Sequence, residues 1–190
     1  MTTADLFELF RQRAEQAGAR VRRVPGPREA CAHVCHLVSE RHLAPVLVAT
    51  GPLLGQMHLV AALAEQGIEV ILEAGQGVER AALGVTEADL GVAETGSLYQ
   101  DATSLVLRLA SMLPPVHVAV LPTDRIVATL EEALPYIMSR GQPPAYAAFI
   151  TGPSRTADIE RVLTIGVHGP AELHILCVDQ PQAAQRAASA

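Results

Sequence analysis

Side chains able to bind or move a charge gather in three glycine-bearing stretches of an otherwise oily chain. The densest is TGPSRTADIE, residues 151–160, where Ser154, Thr156, Asp158 and Glu160 bring four hydroxyl or carboxylate groups behind Gly152 and Pro153. If a turn or helix starts there, its unpaired N–H groups and the positive end of its dipole suit a phosphate or carboxylate. Arg155 could then add a bidentate clamp. The plainer reading is that Ser154 or Thr156 caps the helix, a role worth about 1 kcal/mol. The stretch is no Walker loop, because the chain contains no lysine. The second stretch sets Glu94 before Thr95 and Gly96, directly after apolar Val92 and Ala93. In a cleft, partial burial would raise the Glu94 pKa toward proton transfer or covalent attack; at the surface it is a solvated turn. Upstream of it, Thr86 and Asp89 have the spacing of a capping box. The third stretch, IGVHGP, carries His168 between Gly166 and Gly169. Glycines allow close backbone approach and the imidazole titrates near neutrality, although a histidine in a turn is also a common structural residue. His117 and His174, inside apolar runs, read as structural.

Cys31, His33, Cys35, His36 and His42 lie within twelve residues and invite a metal reading. The segment instead has a helical rhythm. Cys31, Val34, Cys35 and Val38 share one face and His33 points elsewhere, while the remaining Cys177 falls in a distant apolar run. Zinc sites usually draw ligand pairs from separate turns, and no closely spaced set of three or four cysteines serves an iron–sulfur cluster. No metal is expected.

The elements that must hold these stretches alternate between two periods. Residues 5–17 read as a helix, 19–24 as a short basic strand and 29–42 as the cysteine-bearing helix. Residues 45–52, PVLVATGP, form a continuous apolar run stopped by Gly and Pro, as a strand buried on both faces would. A helix at 57–66, a strand at 68–73, a strand at 116–121, a helix at 124–134 and strands at 145–151 and 172–178 continue the beat. Strand alternating with helix implies crossovers and a mostly parallel sheet covered on both sides. Ligands of such sheets bind beyond the carboxyl ends of the strands, so Thr50 and Thr151, each followed by Gly-Pro, are expected to mark that rim. One domain over residues 1–180 is expected, with a frayed tail at 181–190.

Composition narrows the function classes. The 190 residues are 49% hydrophobic and 3% aromatic, so the core must be built from Ala, Val, Leu and Ile. A net charge of −6, with all 14 basic residues arginine, argues against broad nucleic-acid binding, although a local arginine cluster stays open. No apolar run reaches the roughly 18 residues of a membrane helix, and the amino terminus carries acids where an export signal would carry positive charge. The expectation is a cytoplasmic protein with reduced thiols.

GVTEADLGVAETGSL, SMLPPVHVAVL, IVATLEEAL and GPSRTADIERVLTIGVHGP, in that order across residues 84–178, closely resemble the LUD domain family, of which the lactate-utilisation protein C group is the best-known member. Glu94, Thr95 and Gly96 fall on the family's ETG motif. Gly152, Ser154, Thr156, Asp158 and Glu160 fall on its GPSxTADIE motif, and Gly166, His168, Gly169 and Pro170 on its GVHGP motif. The resemblance implies an α/β fold, a mostly parallel sheet flanked by helices, of the NagB/RpiA/CoA-transferase group and close to 5-formyltetrahydrofolate cyclo-ligase. It implies a supporting role in the oxidation of L-lactate to pyruvate, beside iron–sulfur oxidoreductase subunits that carry the redox centres. This chain is expected to bind no cofactor itself. Some CoA transferases of the fold use a glutamate before a glycine turn as nucleophile, a comparison Glu94 invites.

The expected site follows: Glu94 and His168 as catalytic residues, with Thr95, Gly96, Gly152, Ser154, Arg155, Thr156, Asp158 and Gly169 around a small anion at the carboxyl rim. Asp158 is expected to reach the pocket while Glu160 braces Arg155 or Arg161. Two other functions stay open, a free-standing transferase or ligase-like enzyme for a CoA thioester, folate or sugar phosphate, and a non-catalytic regulatory ligand-binding domain. A homo-oligomer also stays open.

Overall fold

The structure, a computed structural model, describes residues 2–139, 144–157, 163–165 and 168–179. Helix α1 (Thr3–Gln16) starts where Thr2 and Asp5 form a reciprocal capping box, and it buries Phe7, Phe10 and Ala14. Strand β1 (Arg20–Val24) leads to α2 (Pro27–Arg41), which opens on proline, and to β2 (Val46–Val48). The helix expected at 57–66 is α4 (Leu59–Glu65), and an unforeseen α3 (Pro52–Met57) precedes it, the two divided at His58, whose φ of 51° breaks the helical ladder. There follow β3 (Val70–Ile71), β4 (Leu83–Glu87), β5 (Leu90–Val92), β6 (Ser97–Asp101) and α5 (Leu105–Met112). The chain continues through β7 (Val116–Pro122), β8 (Ile126–Val127), α6 (Leu130–Met138) and β9 (Ala147–Ile150). A hairpin of β10 (Arg155–Ala157) and β11 (Leu163–Ile165) precedes β12 (Glu172–Val178).

Six strands form a parallel sheet in the order β1-β12-β7-β4-β2-β3. Every residue of β7 is buried, which explains why all of them but His117 are apolar. On one face α2, α3 and α4 press Val34, Val38, Leu53 and Leu63 onto Val46, Val85, Val118 and Leu176. On the other, α1 packs Phe7 and Phe10 against Ala119, Leu121, Ile175 and Cys177, and α5 sets Ala110 beside Leu47 and Ala49. The expected α/β architecture, a mostly parallel sheet flanked by helices, is therefore the observed one. No helix among the described residues is long and apolar enough to cross a membrane.

A second sheet was not foreseen. It runs β8-β5-β6-β9, with β6 antiparallel to both β5 and β9, and is covered by α6 through Tyr99 and Ala133. Four expectations give way to it or to local pairing. The helix expected at 124–134 begins only at Leu130, because Ile126 and Val127 pair with β5 and Thr129 caps α6. Thr86 and Asp89 form no capping box: Thr86 lies buried in β4, and Asp89 accepts the Asp101 N–H at 2.7 Å. The strand ending at Thr151 belongs to the second sheet rather than the parallel one. After Ser154 a strand follows instead of a helix, because Arg155, Thr156 and Ala157 find ladder partners in Ile165, Thr164 and Leu163. The tail at 181–190 lies outside the described residues.

Candidate functional site

The strand-ending stretch TGPS and the stretch HGP meet. Gly152 has φ of 69°, and a Cβ there would overlap the Ala17 carbonyl at the end of α1, so only glycine lets the turn seat against that helix. Ser154 N–H then donates to the Pro170 carbonyl at 2.9 Å, and a Cβ on Gly169 would come within 3.2 Å of the Ser154 Cβ. Between the two turns opens a hollow of about 550 Å³, lined by Thr151, Gly152, Ser154, His168 and Gly169, with Met112 and Phe149 as apolar walls. Thr151 Oγ1 shares a hydrogen bond of 2.6 Å with Ser97 Oγ, which ties the hollow to β6. His168 is exposed at its mouth. The arrangement offers a hydroxyl, a titratable imidazole and apolar walls to a small polar ligand.

This hollow is not at the carboxyl rim. Ala17, Met112 and Pro170, which line it, precede the starts of β1, β7 and β12, three parallel strands, so it lies at their amino ends. The expectation failed because β9 runs in the second sheet, and its end points toward the opposite edge of the molecule from the ends of the parallel strands. The glutamate stretch is adjacent but separate. Gly96, with φ of 65°, packs its turn on Arg13 and Ala14, one helical turn from the seat of Gly152. Glu94, Thr95 and Gly96 do not line the hollow. Glu94 is exposed, and its Oε1 accepts the Leu130 N–H at 2.6 Å, closing the start of α6 together with Thr129. Thr95 Oγ1 makes only a long contact of 3.5 Å to the Val92 carbonyl. Arg155 and Thr156 belong to β10, directly after the hollow. Asp158, Glu160, Arg161 and Gly166 lie outside the described residues, and the roles expected of Asp158 and Glu160 lie there with them.

The sequence profile of the LUD domain matches residues 7–178. The chain belongs to the LUD domain family. Its relatives include proteins named lactate utilization protein C. The one from Bacillus subtilis is 34% identical over 119 residues, 60% of this chain and 48% of that protein. The one from Anoxybacillus flavithermus is 39% identical over 95 residues, 50% and 43% of the two chains, and the one from Shouchella clausii is 36% identical over 104 residues, 53% and 45%. This LUD domain thus spans about half the length of the curated relatives it matches. The crystal structure of a DUF162 family protein from Deinococcus radiodurans superposes with a TM-score of 0.68 at 19% identity, covering 94% of this chain and 99% of that one, and so shares the fold.

The LUD domain also holds a carboxylate that its sequence did not single out. After β2 the chain turns outward to β3, and after β4 it crosses the other way to β7, so the ends of β2 and β4 flank the switch point where open parallel sheets bind ligands. Glu87 ends β4 there. Its Oε2 accepts the Leu53 N–H at 2.8 Å and the Leu54 N–H at 3.4 Å. Burial pushes its pKa up, the Leu53 and Leu54 amides hold it down in part, Asp89 pushes it further up and Arg125 opposes. The missed signal was LGVTE, an apolar run ending in an acid, which the capping-box spacing obscured. Elsewhere Cys35 lies on the buried face of α2 and Cys31 is half-buried one turn before it, and burial raises the Cys31 thiol to about 11. Among the described residues no group of three or more His, Cys, Asp or Glu side chains is arranged to hold a metal ion.

Proposed function

We propose that this LUD domain acts as a non-redox accessory subunit in the cytoplasmic oxidation of L-lactate, beside iron–sulfur oxidoreductase partners, and that the hollow between Ser154 and His168 holds a small carboxylate anion. The observation that carries the reading is the Ser154–Pro170 hydrogen bond, which joins two of the family's motifs around one hollow in a chain whose relatives are named for lactate utilization. His168 faces the ligand in this reading. Glu94 acts as a positioning residue through α6. The test is deletion of the gene followed by complementation. Loss of growth on L-lactate, restored by wild type and by Glu94→Gln but not by His168→Ala, is the expected result, with iron–sulfur proteins retained on native purification. Normal growth of the deletion strain on lactate would refute the role.

A second reading, a free-standing transferase or ligase-like enzyme, is favoured by Glu87. A half-buried carboxylate of raised pKa at a sheet's switch point has the environment of a general base or nucleophile. Turnover of a CoA thioester or folate by the purified chain alone, abolished in Glu87→Gln, would establish it over the accessory role.

A further inference from the structure

On the α2 face of the sheet edge lies a groove that neither reading uses. Its volume is about 280 Å³, and it is walled by Arg20 and Arg22 of β1 and by His33 and Leu37 of α2, with His174 and Leu176 of β12 as its floor. Strand period explains the convergence. Arg20, Arg22, His174 and Leu176 all point to the same face, because β1 and β12 pair with Arg20 opposite His174 and Arg22 opposite Leu176.

Charge in this groove is unbalanced. No acid among the described residues lines it, and the carboxylate beside it, Glu172, is already held by the Arg41 fork at 2.7 and 2.8 Å, with His174 Nε2 donating at 3.3 Å and Arg20 at 3.4 Å. Three cationic or protonatable groups thus surround one carboxylate. Arg22 donates to His33 Nδ1 at 3.1 Å, so a guanidinium is matched there by an imidazole rather than an acid. The charged groups acting on His33 are Arg22, His174 and His36, all of one sign, and burial with these neighbours holds its pKa down. His174 is likewise held down, by burial first, against the upward pull of Glu172.

We propose that this groove binds the phosphate group of a small metabolite, with Arg22, His33 and His174 as its donors and Arg20 at its rim. A doubly charged oxyanion supplies the missing negative charge, accepts from a guanidinium fork and two imidazole N–H groups, and leaves Leu37 and Leu176 to face an organic remainder. Binding a dianion favours protonated imidazoles, while falling pH also protonates the phosphate, so affinity passes through a maximum where the phosphate and histidine ranges overlap.

The imidazole Hε1 resonances of the full-length protein report this directly as inorganic phosphate is added at constant ionic strength, with chloride as the balance. The His33 and His174 signals are expected to shift and saturate together, with both apparent pKa values raised, and Arg22→Ala to weaken binding by about tenfold or more. Glycerol phosphate in a parallel titration separates the sources. Equal affinity assigns recognition to the phosphate alone, and tighter binding of the ester assigns a share to Leu37 and Leu176. If neither histidine moves beyond the chloride control, or if Arg22→Gln and Arg22→Ala both saturate where wild type does, the site does not exist. His168 reports the separate hollow in the same spectra, so that reading and this one succeed or fail independently.

Discussion

Two glutamates in this molecule close a helix start from a neighbouring strand, and they differ in what surrounds them. Glu94 meets the Leu130 amide in the open, at the edge of the second sheet. Glu87 meets the Leu53 and Leu54 amides half-buried, at the switch point of the parallel sheet, where desolvation lifts its pKa. The hydrogen bonds are alike. Burial first, and Asp89 after it, set the raised carboxylate of Glu87 apart from the exposed cap, so a motif that marks Glu94 is weaker grounds for chemistry than the position of Glu87.

The largest losses are expected at the glycines that hold the second sheet and the hollow in place. Gly96→Val and Gly152→Val each force a positive φ on a branched residue and drive it into the α1 backbone, so each should lower stability by about 3 kcal/mol or more in urea titrations. If either variant keeps wild-type stability, α1 is not the common seat of the two turns. The glutamates come next. Glu87→Ala strands half-buried amides and should cost about 1–3 kcal/mol, whereas Glu94→Ala removes an exposed cap and should cost about 0.5–1 kcal/mol. Equal losses would erase the distinction drawn between them.

Acid sensitivity adds two further groups, buried His117 and half-buried Glu172. His117 is fully buried against Thr86, and burial holds its pKa down to about 3. The unfolded chain therefore binds a proton that the folded one refuses between pH 6.5 and about 3, and stability falls as pH drops through that window. Glu172 is held down to about 2, first by the Arg41 hydrogen bonds, so its contribution is present above 4.5 and is lost as pH falls toward 2. In pH-dependent unfolding, His117→Gln should flatten the upper window and Arg41→Ala the lower. Glu87 has the opposite sign: raised in the fold, it costs stability above its folded pKa, so Glu87→Gln should gain relative stability as pH rises past the carboxylate range. The smallest effect belongs to Thr95→Ala. Its contact of 3.5 Å is too long to contribute much, and a loss above about 0.5 kcal/mol would show that the exposed turn is more tightly built than Glu94 implies.

Legibility in the sequence followed burial and span. The strand expected at 172–178 is β12 to the residue, because both its faces are covered and apolar residues dominate it beyond Glu172 and His174. The helix expected at 5–17 starts two residues earlier, at its Thr2 cap. The second sheet escaped notice because its strands are short and β9 alternates half-buried with exposed residues, a pattern that reads as a strand without saying which sheet owns it. At the site, Ser154 and His168, which the GPS and VHGP motifs singled out, line one hollow. The rim assignment failed with β9, and the partner of Glu94 lies 36 residues away, beyond any local pattern. Glu87 became visible only once β2 and β4 were neighbours.

Helix α1 gives each of the two glycine turns its own backing, Ala14 under Gly96 and Ala17 under Gly152. These seats are three residues apart, close to a full revolution, so they share a side of the helix. One residue inserted between them would swing the farther seat by about 100° while leaving the nearer one where it is. A single-codon insertion thus offers a way to unfasten the hollow without disturbing the turn that carries Glu94.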